Sequence, residues 1–240
     1  MKTLTFIAIV LCSGAIAGTI LALINQGVVE PFLEKAIDLE NQKAAAEGEI
    51  INPNEIAAYR LWQKGGSIAG GAVLGLSYSA LFGLVFAYAR NMMPGSNNTK
   101  KALVLAGIIW FVLYLVVAVK YPANPPAVGD PETIYYRQAL YVAMLAISGL
   151  AALGAGVVYH RMKAGARKFI APGIYAAAVI AAFLALPPNP DAISAPMDLV
   201  ISFRVASAAT MTAFWIIMVL ILGAFWDRLK PHETTRIKTV

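Results

Sequence analysis

Six long apolar runs, parted by short polar segments, dominate the pattern of this chain. They lie near 4–29, 67–88, 102–119, 139–159, 169–186 and 205–225. Each is long enough to cross a bilayer as a helix, which takes roughly 17–25 residues. Their central turns hold no Asp, Glu, Lys, Arg or His. The predicted fold class is an all-α integral membrane protein of six transmembrane helices, organised as one polytopic domain over 1–240. The first run follows Lys2 and could pass for a signal peptide. It continues through Leu23 and Ile24, past the usual apolar core of about 7–15 residues, so a retained helix is expected.

The polar segment 30–64 is the longest. After Pro31, the apolar Phe32, Leu33, Ala36, Ile37 and Leu39 alternate with Glu34, Lys35, Asp38 and Glu40 at roughly helical spacing. This pattern predicts an amphipathic helix that either lies on the outer surface or continues the first span beyond a bend. Residues 41–54 lose periodicity and close on an Asn-Pro-Asn turn. Inside the runs, Gly14 and Gly18, Gly66 and Gly70, and Gly71 and Gly75 each stand four apart. Glycine at that interval lets helix backbones approach closely in lipid, so helix packing is their expected role. A phosphate-binding reading would need a strand before them, and none is predicted.

The polar segments also repeat. Asn52-Pro53 leads to Tyr59-Arg60, Asn124-Pro125 to Tyr136-Arg137, and Asn189-Pro190 to Phe203-Arg204. Between break and arginine lie Glu55, then Asp130 and Glu132, then Asp191 and Asp198. Proline stops a helix and stiffens the backbone, and an acid beyond it can cap the next helix. The phrase written three times predicts three repeated hairpins with their polar chemistry on one membrane face.

Charge orients them. With a cytoplasmic N-terminus, the inner segments carry Lys2, Arg90, Lys100, Lys101, Arg161, Lys163, Arg167, Lys168, Arg228, Lys230, Arg236 and Lys238, against Asp227 and Glu233. The outer segments hold the remaining 7 basic and 11 acidic residues. Excess Lys and Arg marks the cytoplasmic side, so both termini are expected inside. Charged residues are 13% of the chain, against about 25% in a soluble domain. The net charge of +6 is a topology signal, and no nucleic-acid motif accompanies it.

Candidate chemistry is sparse. Arg60, Arg137 and Arg204 enter the even-numbered spans, where an arginine can pair with loop acids, contact headgroups or line a gate. Pairing within the fold, as structural arginines, is the leading expectation. Asn124, Asp130, Glu132 and Asp191 could offer oxygen donors to a divalent ion, although acids beside Asn-Pro turns more often serve as turn and cap residues. His160 and His232 fall on the inner side among Arg and Lys, and Cys12 stands alone. No nucleophile–base set assembles, so no enzyme is expected.

The stretch Val29-Glu-Pro-Phe-Leu-Glu-Lys-Ala resembles the CbtA family of cobalt transporter subunits. So do Lys120-Tyr-Pro-Ala-Asn-Pro-Pro-Ala-Val-Gly-Asp-Pro-Glu-Thr-Ile with Arg137-Gln138, and Leu186-Pro-Pro-Asn-Pro with Phe203-Arg-Val-Ala-Ser. The resemblance runs from the first span to the last. It implies a multi-pass protein of the cell membrane serving divalent cobalt uptake, with Co2+ as transient cargo and no resident cofactor. It also implies a small His-containing membrane partner, CbtB-like. Family members carry a His-rich tract in the first outer loop, whereas 30–64 here has no histidine; any capture at that face must use carboxylates and amides or imidazoles from a partner. Two functions are therefore expected to compete. One is a membrane subunit of a cobalt uptake system whose acidic Asn-Pro loops form an ion vestibule. The alternative is a non-catalytic structural or accessory subunit of a larger membrane complex, favoured by the lack of ionisable groups in the central turns.

Overall fold

The computed structural model describes residues 2–50, 52–126, 128–163 and 165–232. Its helices are α1 (Thr3–Val28), α2 (Glu30–Ala46), α3 (Pro53–Ala89), α4 (Asn98–Trp110), α5 (Val116–Lys120), α6 (Ile134–Arg161), α7 (Arg167–Ala185) and α8 (Met197–Leu229). A π-helical turn, Phe111–Leu115, joins α4 to α5, and a 3-10 turn, Pro131–Thr133, leads into α6. Among the described residues, six helical segments are long and apolar enough to cross a membrane: Thr3–Val28, Pro53–Ala89, Asn98–Lys120, Pro131–Arg161, Arg167–Ala185 and Met197–Leu229. Six such segments make this a multi-pass membrane protein. Glu233, Arg236 and Lys238 of the charge count lie outside the described residues. The chain forms two compact units, Met1–Gly107 with Val205–Val240, and Ile108–Arg204.

In the first unit, α1 and α3 pack along backbone. Buried positions recur every three to four residues on α1 (Phe6, Ile9, Val10, Ser13, Gly14, Ala17, Gly18, Leu21) and on α3 (Gly75, Ser79, Phe82, Gly83, Phe86). A methyl group on Gly18 would overlap the Gly71 carbonyl, and one on Gly75 the Gly14 carbonyl. Glycine is required here by space, because any side chain would push the helices apart. Gly66 and Gly70 differ: a methyl group on either meets open space.

Two expectations about the first polar segment need correction. Residues 41–54 are mostly helical, since α2 runs on to Ala46 and α3 starts at Pro53. The second span therefore begins well before residue 67, and Tyr59-Arg60 lies inside α3 rather than at its entrance. The cause is local. Asn52 accepts from the Asn54 N–H at 3.1 Å and donates to Glu55 at 2.9 Å, with Pro53 in the first helical turn. That reciprocal cap nucleates a helix without an apolar run. As for α2, it continues α1 through a bend. Val29 keeps helical dihedrals (φ −99°, ψ −38°) and its N–H still reaches the Asn25 carbonyl at 2.9 Å. Pro31 lacks the N–H that would have reached the Gly27 carbonyl, so the axis kinks there without breaking.

The other end of this unit is tied by α8. Trp226 is fully buried, edge-on to Phe6 of α1 and Phe86 of α3 at centroid distances of 5.7 and 5.0 Å, with the Arg90 guanidinium 5.8 Å from its ring. Next to it, Asp227 accepts from both the N–H and the side chain of Asn98 (3.0 and 2.7 Å) and of Thr99 (3.2 and 3.1 Å). A carboxylate supplied from α8 thus satisfies the orphan donors that open α4.

In the second unit, α5 and α6 meet α7 around Val116, Val117, Tyr121, Leu140, Met144 and Ala182. The π turn sits against this core. Its widened ring shows in the Val116 N–H, which reaches the Phe111 carbonyl five residues back. Ser148 of α6 is fully buried, donates to the Val112 carbonyl at 2.7 Å and lies 2.9 Å from the Tyr175 hydroxyl of α7. A carbonyl loosened from the helix ladder at membrane depth must find a donor inside the protein. Ser148 is that donor.

Candidate functional site

The candidate site is built from the connection 121–130, which precedes the 3-10 turn, and the connection 186–196, which precedes α8. Both are proline-rich and lie outside the helices, so their polar groups come from side chains and exposed carbonyls rather than from a helix. Asp191 is at the centre, its side chain only 8% exposed. Its carboxylate accepts from the Asp130 N–H at 3.0 Å and from the Thr133 hydroxyl at 2.8 Å. It is ion-paired with Arg137, whose Nε lies 2.9 Å away and donates to the Thr133 hydroxyl at 3.0 Å. Arg137 also donates through Nη2 to the Asp130 carbonyl at 3.0 Å. Gly129 has φ +112°, and a methyl group there would press on both the Asp191 carboxylate and the Arg137 guanidinium. Backbone conformation and lack of space both require glycine.

A second arginine works the other way. Arg204, in the second turn of α8, donates through Nη2 to Asn124 Oδ1 at 2.7 Å and through Nε to the Ala123 carbonyl at 3.1 Å. The Tyr121 hydroxyl donates to the Pro187 carbonyl at 2.6 Å. Burial, with Tyr136 adding a smaller effect, pushes the Tyr121 hydroxyl above its ordinary range, so it stays a donor. Lys120 donates to the Phe183 carbonyl at 2.8 Å, near the end of α7, where a cation meets the negative helix terminus. The two connections thus clasp at several points.

Arg60 makes an analogous contact in the first unit. It pairs with Glu30 at the α1–α2 bend and also donates to Gln63. Lys64 lies 2.5 Å from Glu34 and 3.5 Å from Glu30. The hydrogen bond from Lys64 holds the Glu34 carboxyl below its ordinary range, against a smaller opposing effect of burial. Beyond this network, Glu40, Lys43, Glu47, Glu49, Asn52 and Glu55 help line an open cleft of about 500 Å³.

As ligands, the sequence-selected oxygens are mostly occupied. Asp191 is ion-paired with Arg137 and accepts from the Asp130 N–H and the Thr133 hydroxyl. Asn124 accepts from Arg204, Asp130 Oδ1 accepts from the Glu132 N–H at 2.9 Å as a cap, and Glu132 is exposed. Among the described residues, no three His, Cys, Asp or Glu side chains converge to hold a metal ion. His160 stands edge-on to Tyr159, His232 Nδ1 accepts from Trp226 Nε1 at 3.2 Å, and Cys12 is exposed. Sequence reasoning missed Thr133, Gly129 and Glu30 as partners. Only Glu30 carried a signal, as an acid beside a helix-opening proline.

A family model described as a probable cobalt transporter subunit (CbtA) matches residues 3–227. The chain belongs to the CbtA family. That match takes in all six candidate spans but for the end of α8. As a CbtA protein it is a probable cobalt transporter subunit in the membrane, and the word subunit implies partner subunits. No curated protein and no solved structure matches this CbtA chain.

Proposed function

We propose that this CbtA protein is the membrane subunit of a divalent cobalt uptake system in the cell membrane, a single polytopic domain of three hairpins with both termini cytoplasmic. In this reading the connections 121–130 and 186–196 face outward and form the ion vestibule. The observation that carries it is the family match over residues 3–227. The charge pattern supports the orientation, since 12 of the 19 basic residues fall on the proposed inner side. Carboxylates around the cleft of Glu40, Glu47, Glu49 and Glu55 raise the local concentration of a cation by field alone. Asp130, Glu132, Asp191 and Asn124 act as weak, fast-exchanging oxygen contacts at the mouth, because carboxylate and amide donors select little among divalent ions. A small His-containing partner, CbtB-like, would supply the imidazole that 30–64 lacks.

The test is uptake of labelled cobalt in a strain without other cobalt transporters. Expression should raise uptake above the empty strain, alone or with the partner encoded nearby, and Asp130→Asn should reduce it. Background uptake in both cases would defeat the reading.

One observation favours the accessory-subunit reading. The buried polar side chains of the spans are Ser13, Ser79, Ser148 and Thr210 among the described residues, with no ionisable group for a proton relay. In that case the protein should copurify stoichiometrically with a larger complex after mild detergent extraction.

A further inference from the structure

We propose that the turn between α6 and α7 is a binding site for the phosphate headgroup of an anionic phospholipid, whose acyl chains run along the exposed face of α7. Arg161, Lys163, Arg167 and Lys168 fall within eight residues, and no acid occurs between Glu132 and Asp191. Elsewhere the boundary arginines are matched: Arg60 has Glu30, Arg137 has Asp191 and Arg204 has Asn124. Among the described residues, none of the four turn cations takes part in a salt bridge. Arg167 lies with its guanidinium 4.7 Å from the centre of the Tyr159 ring. Its Nε is buried and has no acceptor. The ring covers one face of the guanidinium, and the Nε–H is left as a buried donor without a protein acceptor, the kind of donor that a phosphate oxygen satisfies.

The same place is apolar on its membrane side. Phe169 is 81% exposed, one residue beyond Lys168, and Ile170 follows it on the surface. Of the six candidate spans, those of α6 and α7 are the least buried, at 17% and 11% of their windows. A cationic edge one turn from an uncovered apolar helix face fits a ligand that is anionic at one end and hydrocarbon at the other. Excess basic charge alone would orient the hairpin, but that requirement does not explain a stacked arginine with a buried, unmatched donor. Basic pockets between membrane helices are the usual seats of anionic lipid headgroups.

The experiment uses the full chain purified in neutral detergent. Thermal unfolding is followed with added phosphatidylglycerol, phosphatidylcholine or inorganic phosphate, and lipid retention is counted by native mass spectrometry. Phosphatidylglycerol should raise the midpoint and be retained, while phosphatidylcholine should do neither. Arg167→Gln with Lys168→Gln should weaken retention by about fivefold for each cation removed. Lys100→Gln with Lys101→Gln, which removes the same charge from another basic turn, should leave retention intact. If the Arg167 variant does not fold, Lys163→Gln with Lys168→Gln keeps the arginine stack and should still weaken retention. Equal losses in the two turns would overturn the proposal in favour of diffuse charge. A midpoint shift fully reproduced by inorganic phosphate would overturn the lipid as its source.

Discussion

Arg204 reaches back across 80 residues to donate to Asn124 at 2.7 Å, while Arg137 reaches forward to Asp191 at 2.9 Å. Each arginine leaves the start of one helix and fastens the connection that opens the other. The clasp is therefore reciprocal, and its halves differ in kind: one ends on a buried carboxylate, the other on a neutral amide.

That difference sets the first prediction. Arg137→Ala leaves the Asp191 carboxylate without its cation, a loss worth about 3–5 kcal/mol for a buried pair. Arg204→Ala leaves an amide oxygen and a carbonyl, worth about 1–3 kcal/mol. Thermal unfolding of the two variants in detergent should rank them in that order. A fully stable Arg137→Ala protein that nonetheless loses cobalt uptake would assign that residue to function instead.

The glycines give a second. Gly18→Ala should strongly destabilise α1 against α3, because its methyl group meets the Gly71 carbonyl. Gly70→Ala, next to Gly71 of the seam in sequence but facing open space, should be neutral or gain up to about 1 kcal/mol from helix propensity. Folded yield after membrane extraction distinguishes them, and equal behaviour would mean the seam is misplaced.

At the π turn, Ser148→Ala removes the donor that satisfies the Val112 carbonyl, at a cost of about 1–3 kcal/mol for a buried unsatisfied acceptor. Tyr175→Phe removes the other partner of Ser148. The double variant should lose less than the sum of the single losses, since the three groups form one network. Strict additivity in a thermal double-mutant cycle would show that they act separately.

Acid titration should expose the Glu34–Lys64 pair. The carboxyl of Glu34 is lowered from its ordinary value of 4.5 in the folded chain. Its contribution is complete above that value and is lost as pH falls through the lowered one. With Glu34 half exposed, the effect is small. Glu34→Gln should flatten part of the acid limb of stability against pH, and an unchanged limb would argue that the pair contributes nothing.

Orientation can be read with an impermeant thiol reagent in a Cys12→Ala background. Cysteines at Asn52 and Asn189 should label from outside intact cells, and a cysteine at Asn97 should not. The reverse pattern would invert the proposed topology.

The spans were legible because apolar length is a property of the sequence alone. The start of α3 was not read from it, because residues 53–66 carry little apolar signal. The Asn52–Glu55 cap was written there all the same, as an N-cap residue with an acid three places on. Partner choice was not legible. That Arg137 meets Asp191 rather than a nearer acid depends on the path of a proline-held loop. The π turn depends on a serine 36 residues away, and the start of α4 on Asp227, 128 and 129 residues on. Such contacts are set by tertiary packing, which no local pattern encodes.

The clasp also has an order in time. Thr133 and Asp191 are separated by 58 residues of chain, and Asn124 and Arg204 by 80. At a synthesis rate of roughly 5–20 residues per second, the earlier partner waits on the order of several seconds for the later one to emerge. Through that interval the nascent hairpin of α5 and α6 carries an uncompensated Arg137 beside the bilayer. Its insertion must then be completed by a segment the ribosome has not yet made, which makes the last third of the chain a checkpoint for biogenesis of the middle third.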